Sequence, residues 1–311
     1  MVPGIAGMKP AIPRRSQIGM KTWPLHVLLL PSVLLLLVYS YLPIAGVVIA
    51  FQDFKPWLGI LKSPFVGLEN FRDVFTGPSA LQAITNTVVI ASLKMAAGLV
   101  VPIFFALLLN EIRVTAFKRT VQTLVYLPHF LNWVILGGIL LDMLSTQGII
   151  NQALIAVGAG PIRFLNSGDW FRFILVASDV WKEFGFGAII YLAAISGVNP
   201  SLYEAAEIDG AGQVAKAVHV TLPAVVPIAA VLATLSLGNL LNAGFDQVLN
   251  LYNPLVYEKA DIIDTYVYRI GLVQGSFSQA TAVGLFKSVV GFVLISVTYW
   301  LATRYGNYRI F

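Results

Sequence analysis

Not one of the 311 residues is cysteine, and only 11% are Asp, Glu, Lys or Arg. The first absence excludes disulfide frameworks, iron–sulfur clusters and thiolate zinc sites. The second excludes an ordinary soluble domain, in which roughly a quarter of residues are charged. Histidine is scarce too: His26, His129 and His219 stand far apart without ligand-spaced partners, so no metal site is expected. There is no Gly-x4-Gly-Lys-Ser/Thr, so the chain has no P-loop. Gly210-Ala-Gly212-Gln-Val-Ala215 imitates a dinucleotide fingerprint, but no strand precedes it. The basic surplus, Lys+Arg 20 against Asp+Glu 15, is scattered between apolar runs and forms no stripe, which excludes nucleic acid as a partner.

What is present is hydrophobicity, 58% of the chain. A bilayer-spanning helix takes about 20 residues. Six runs reach that length: about Thr22 to Gln52, Thr85 to Asn110 (interrupted by Lys94), Val121 to Leu144, Phe173 to Ile195, Leu222 to Asn242, and Ala280 to Thr303. The first is too long for the 7 to 15 residue core of a signal peptide and reads as a retained first span. The expected fold class is an all-α membrane protein of six transmembrane helices. Its expected parts are a cytoplasmic segment 1–24, one membrane domain 25–303 and a cytoplasmic tail 304–311.

Lys and Arg counted in alternate connections give ten on the side of the termini and seven on the other, with Arg113, Lys118 and Arg119 concentrated in one short loop. Basic loops stay inside, so both termini are expected in the cytoplasm. The outer connections, about Gln52 to Gln82, Ser145 to Arg172 and Gly244 to Gln279, are long and carry Trp57, Trp170, Tyr252 and Tyr257, which predicts lids or short interfacial helices.

The inner connection between the fourth and fifth spans, 199–223, has a helix start in either of two forms. Ser201 with Glu204 has capping-box spacing, and Asn199-Pro200 offers a cap with proline in the first turn. Gly210 then stops the helix by taking the left-handed conformation. Ala205 and Ala206 leave a shallow surface, Glu204, Glu207 and Asp209 charge its surroundings, and Leu222-Pro223 marks entry to the fifth span. The expected object is a rigid helical elbow projecting from the membrane.

Glu204-Ala205-Ala206-x3-Gly210-x9-Val220-x-Leu222-Pro223 resembles the EAA loop of permease subunits of ABC-type importers that depend on a substrate-binding protein, with Val220 where Ile is more usual. Further runs resemble the polysaccharide and oligosaccharide branch of that family, which includes the alginate importer. They are Tyr41-Leu-Pro43, Tyr126-Leu-Pro128-His129-Phe130, Trp181-Lys182-Glu183-Phe184-Gly185 and Gly238-Asn239-Leu-Leu-Asn242-Ala-Gly244-Phe245-Asp246-Gln247. Asn132 stands where many relatives carry Ser. The resemblance implies the type I importer permease fold in the bacterial inner membrane. It implies a second homologous permease, a cytosolic ATPase dimer and an extracytoplasmic binding protein as partners, and an oligosaccharide or polysaccharide as cargo. No cofactor is expected in this chain, since ATP and Mg2+ belong to the ATPase. Glu204, Ala205, Ala206, Asp209, Gly210, Ala211, Leu222 and Pro223 become the coupling residues.

Polar residues inside spans are costly and default to function. Asn242 and Asp246 are the leading pathway candidates, because amides and carboxylates suit sugar hydroxyls. Asn239, Gln247, Asn250 and Trp181 are weaker ones, with interhelical bonding as the competing role. Asp179 and Lys182, three residues apart, read as a structural pair, and Lys94 and Lys287 as pairing or snorkelling cations. An ion-coupled secondary transporter working through Asp142 and Asp179 is the alternative function; it would show inverted repeats and more spans.

Overall fold

The computed structural model describes residues 15–305, and all its regular elements are helical apart from a single bridge between Gln52 and Phe65. Lys9, Arg14 and Arg309, which enter the charge count above, lie outside the described residues. Helix α1 (Arg15–Leu36) continues through a π-helical turn (Leu37–Tyr41) into a 3-10 segment (Leu42–Phe51). It presents an almost continuous exposed leucine surface, with Leu28, Leu34 and Leu35 at least half exposed. Helix α2 (Pro78–Glu111) begins with proline at its first position, where the missing N–H costs nothing.

The third expected span, Val121 to Leu144, is not one helix. It divides into α3 (Thr115–Tyr126), a 3-10 turn (Leu127–Phe130) and α4 (Trp133–Leu144). Pro128 supplies the reason, because it lacks a donor and clashes with the preceding turn. Asn132 caps the restart, its side-chain oxygen accepting from the Ile135 N–H at 2.9 Å.

Helix α5 (Gly168–Ser196) is long enough to cross a bilayer but carries Asp169, Arg172, Asp179, Lys182 and Glu183. Five helical stretches among the described residues meet both length and apolarity for a span: Thr22–Phe51, Pro78–Glu111, Trp133–Ala156, Gln213–Gly238 and Phe277–Trp300. The expected six therefore resolve into five apolar helices and one long helix that carries five charges, of which Asp179, Lys182 and Glu183 are ion-paired within the bundle and Asp169 pairs with Lys259 at its exposed start.

The elbow follows as α6 (Pro200–Ile208) and α7 (Gln213–Lys216), and a π-helical turn (Ala217–Thr221) leads into α8 (Leu222–Gly238). That turn lies directly before Pro223, whose nitrogen cannot close an ordinary helical hydrogen bond. A short α9 (Phe245–Leu251) and the last helix α10 (Phe277–Tyr305) complete the frame. The long connections hold short helices, Gly59–Lys62, Glu69–Thr76, Ile149–Ala156, Tyr257–Ala260 and Ile263–Tyr268, as their aromatic content predicted.

Two apolar clusters fix the central helices. Ile90 and Ala91 of α2 pack with Phe171 and Leu175 of α5 and with Val248 and Leu251 of α9. Toward the elbow, Ala106, Ala188, Tyr191 and Val225 join α2, α5 and α8. Gly185 lets α5 approach α3, since a Cβ there would meet the Val125 carbonyl oxygen at 2.4 Å. Small residues at such crossings are how membrane helices gain packing without a hydrophobic driving force between them.

Candidate functional site

The elbow is built from local bonds. Of the two possible starts the structure uses Asn199, whose side-chain oxygen accepts from the Ser201 N–H at 3.1 Å with Pro200 at the first helical position; the Ser201–Glu204 capping box does not form. At the other end the Ala211 N–H donates to Ala206 O at 2.8 Å and the Gly210 N–H to Glu207 O at 3.1 Å, a Schellman stop. It requires Gly210 at φ +77°, the left-handed region that costs any side chain. Two ties fold the elbow onto itself: Lys216 to Glu207 at 3.6 Å, and the Tyr203 hydroxyl to Thr221 Oγ1 at 3.0 Å.

No residue of α6 is buried, and Leu202, Ile208 and Val214 are 53%, 87% and 78% exposed. Glu204, Ala205, Asp209 and Gly210 are exposed beside them, while Ala206, Ala211 and Leu222 are half-buried. Apolar side chains thus stand next to carboxylates on the exposed face of the elbow.

The polar candidates gather at the far end of α8, but not as the sequence arranges them. Helix α8 ends at Gly238, so Asn239 is its cap residue and Asn242 lies in the turn beyond. Both line a cavity of about 400 Å³ between α2, α5 and α8, together with Lys94, Asp179 and Ser236. Asn242 also borders a larger space of about 990 Å³ against Phe245, Asp264, Tyr268 and Lys287. Their amides are weakly engaged: Asn242 Nδ2 is 3.4 Å from Asn239 Oδ1, and Asn239 Nδ2 is 3.4 Å from Leu235 O. Strong N–H···O bonds are shorter, about 2.9 to 3.0 Å.

Gln247 differs. It is fully buried, donates to Leu175 O and Ser178 Oγ at 2.8 Å each, and accepts from Lys94, so in this conformation it bonds helices together. Asp246, exposed at the start of α9, lies outside the 400 Å³ cavity, as do half-buried Asn250, whose amide donates to Asp246 O at 2.7 Å, and Trp181, 48% exposed on α5.

Asp179 and Lys182 do not pair with each other. Asp179 Oδ1 meets Lys94 Nζ at 3.2 Å, while Lys182 Nζ donates to Glu183 Oε1 at 2.7 Å and to His129 O at 2.8 Å. Glu183 Oε2 in turn is 2.7 Å from His129 Nδ1, and the His129 ring stacks on Phe186 at 4.0 Å. Lys287 pairs with Asp264 at 2.6 Å, so Lys94, Lys182 and Lys287, the three lysines inside the long helices α2, α5 and α10, are all paired. The Lys94–Asp179 pair has a sequence signal: two opposite charges inside two different spans cost least when they meet. In the connection between α9 and α10, Arg269 stacks on Tyr257 at 4.3 Å and pairs with buried Asp261. Burial there, reinforced by Tyr257 and Asp261, pushes the Tyr252 hydroxyl up to about 12, which keeps it a neutral donor.

A bundle of apolar helices, a projecting elbow and a polar cavity at the opposite end of the helix that the elbow enters define a membrane transport subunit. Residues 98–307 match the family described as binding-protein-dependent transport system inner membrane component, and the chain belongs to that family. It is 44% identical over 288 residues to the polygalacturonan/rhamnogalacturonan transport system permease protein YteP of Bacillus subtilis strain 168, an alignment covering 92% of this chain and 90% of that one. Its fold is similar to a chain of a bacterial ABC transporter involved in the import of the acidic polysaccharide alginate, with TM-score 0.86, 37% identity, and coverage of 94% of this chain and 99% of that one. A second structure, the alginate transporter in complex with an alginate pentasaccharide-bound periplasmic protein, matches with TM-score 0.84 and 37% identity, covering 94% of this chain and 98% of that one.

Proposed function

We propose that the chain is one of two permease subunits of an ATP-driven importer for acidic polysaccharides or their oligosaccharides, received from an extracytoplasmic binding protein. The relatives that transport polygalacturonan, rhamnogalacturonan and alginate support the cargo class. In this reading the membrane domain 25–303 sits in a bacterial inner membrane with both termini cytoplasmic, a side supported by Arg113, Lys118 and Arg119 in one short loop. The segments 1–24 and 304–311 are its cytoplasmic ends. A second, similar permease covers part of the exposed leucine surface of α1. ATP and Mg2+ are bound by a cytosolic ATPase dimer, onto which Glu204, Ala205, Ala206, Asp209, Gly210, Ala211, Leu222 and Pro223 dock or orient the elbow. Asn242 and Asn239 face the sugar, with Asp246, Gln247, Asn250 and Trp181 entering only in other conformations of the cycle.

One observation carries the reading. A self-braced elbow, with no buried residue in α6, feeds through a continuous helical run from Gln213 into α8, whose other end holds two weakly bonded amides at a cavity. Movement at the docking face thus has a rigid path to the polar site. The test is uptake into vesicles holding the two permeases and the ATPase, with the binding protein outside and labelled acidic and neutral oligosaccharides supplied in turn. Uptake of acidic oligosaccharides that requires ATP on the elbow side is expected. Uptake driven by an ion gradient without ATP would replace this reading with the ion-coupled transporter.

A further inference from the structure

Lys94 of α2 is 9% exposed at the wall of the 400 Å³ cavity. Its ammonium has three acceptors: Ala243 O at 2.8 Å, Asp179 Oδ1 at 3.2 Å, and Gln247 Oε1. An ammonium has three N–H donors. All are spent inside the protein, and none is left for a ligand. The next residue, Gly244, has φ +96°, and a Cβ built on it would lie 2.8 Å from Lys94 Nζ. The cation therefore occupies the space that a side chain in the turn would need. Through Gln247, which bonds Leu175 O and Ser178 Oγ, the same ammonium is coupled to α5.

We infer that Lys94 is a positioning residue of the transport pathway. It holds the turn Asn239–Gly244 by the Ala243 carbonyl and the Gln247 amide, and so sets the Asn239 and Asn242 amides at the cavity wall. A consequence for cargo follows. The cavity offers a passing sugar neutral amides and the partly exposed carboxylate of Asp179, with no free cation among the described residues that line it, so a uronate ring is read here through its hydroxyls and not through its acid group. The functional consequence rests on the pathway reading above, whereas the positioning itself is a matter of geometry and can be tested without sugar.

The competing role is charge neutralisation: Lys94 would then serve only to balance Asp179, and removing both charges would restore the protein. The chain has no cysteine, so Asn242→Cys provides a single reactive thiol in it. The assembled transporter is labelled with a small maleimide, and the rate for this subunit is read in three backgrounds: otherwise unmodified, Lys94→Met, and Lys94→Met with Asp179→Asn. Release of the turn should change the rate by at least about fivefold, the equivalent of about 1 kcal/mol, in both lysine variants. With Asn242 intact, Lys94→Met should also raise the uptake KM more than it lowers the maximal rate.

A change under fivefold in Lys94→Met, or a return to the unmodified rate on adding Asp179→Asn, overturns the inference. If Lys94→Met does not assemble, Lys94→Gln, which keeps an amide donor but no charge, is read against the same limits. Labelling decides positioning even if Asn242→Ala proves to have normal uptake, in which case it is the pathway reading that fails.

Discussion

The two ends of α8 are built by opposite means. At the elbow the cap and stop bonds are short in sequence, Asn199 to Ser201, Gly210 to Glu207 and Ala211 to Ala206, and the Tyr203–Thr221 tie spans 18 residues. Beyond Gly238 the bonds reach far, from Gln247 to Ser178 across 69 residues and from Lys94 to Ala243 across 149. A segment that satisfies its own backbone can stand away from the protein and keep its shape, which is what a docking element needs. A turn that depends on distant partners cannot move without moving the helices that hold it. The proposed function gives contact to one end and controlled geometry to the other, and substitutions at three places test that division in descending order of effect.

The largest effect is expected at the helix stop. Gly210→Val places a β-branched residue at φ +77°, where L residues lose roughly 1–2 kcal/mol, and nothing else crowds the position. The chain should relieve the strain by unwinding the Schellman turn, so the elbow changes shape while the membrane core, no atom of which lies within 4 Å of a Cβ at position 210, assembles normally. Transport should fall at least about tenfold, with stimulation of the ATPase by loaded binding protein lost in parallel. Glu204→Lys should act similarly through charge reversal at the exposed face. Full transport in both variants at normal assembly would remove the docking role from the elbow.

Lys287 and Asp264 sharpen the other half of the comparison. The pair joins α10 to the helix Ile263–Tyr268 at 2.6 Å, with side chains 20% and 26% exposed. Lys287→Met leaves a partly desolvated carboxylate without its cation. Fully buried pairs lose roughly 3–5 kcal/mol when broken, and partial exposure here reduces that to about 1–3 kcal/mol. The purified complex should melt at a lower temperature, and Asp264→Leu in the same chain should recover most of the loss. No recovery in the double variant would mean that Lys287 contributes something other than charge balance.

The same local-to-distant divide decides what the sequence could disclose. Asn199-Pro200, Gly210 and Leu222-Pro223 announce a capped, stopped and re-entered helix because each acts through its own backbone dihedrals. Even there, the choice between Asn199 and Ser201 as cap depended on which donor lay in reach. The apolar runs announced the spans, but Pro128 broke the third into two helices, and the charges of α5 made it a polar helix among apolar ones. At the cavity, residue type was informative and partnership was not. Asn239, Asn242 and Gln247 look alike in sequence, yet the first two line the cavity with loosely held amides and the third is buried under Lys94. Spacing of three suggested Asp179 with Lys182, but the α2–α5 packing brought Lys94 to Asp179 instead.

The smallest effect belongs to Asn242 itself, and it separates cargo contact from scaffolding. Its side chain is exposed and borders both cavities, and among the described residues its amide has only the 3.4 Å contact to Asn239. Removing it therefore sacrifices little folded-state bonding, and Asn242→Ala should assemble and melt like the unaltered protein. If a sugar hydroxyl replaces water at that amide during passage, the loss is one net hydrogen bond, about 0.5–1.5 kcal/mol. Uptake efficiency should then fall by roughly two- to tenfold, with unstimulated ATPase activity unchanged. Asp246→Asn, outside the smaller cavity, should change uptake less than Asn242→Ala. An equal loss at the two positions would place the path along the start of α9, whereas a drop in melting temperature for Asn242→Ala would return that residue to the scaffold.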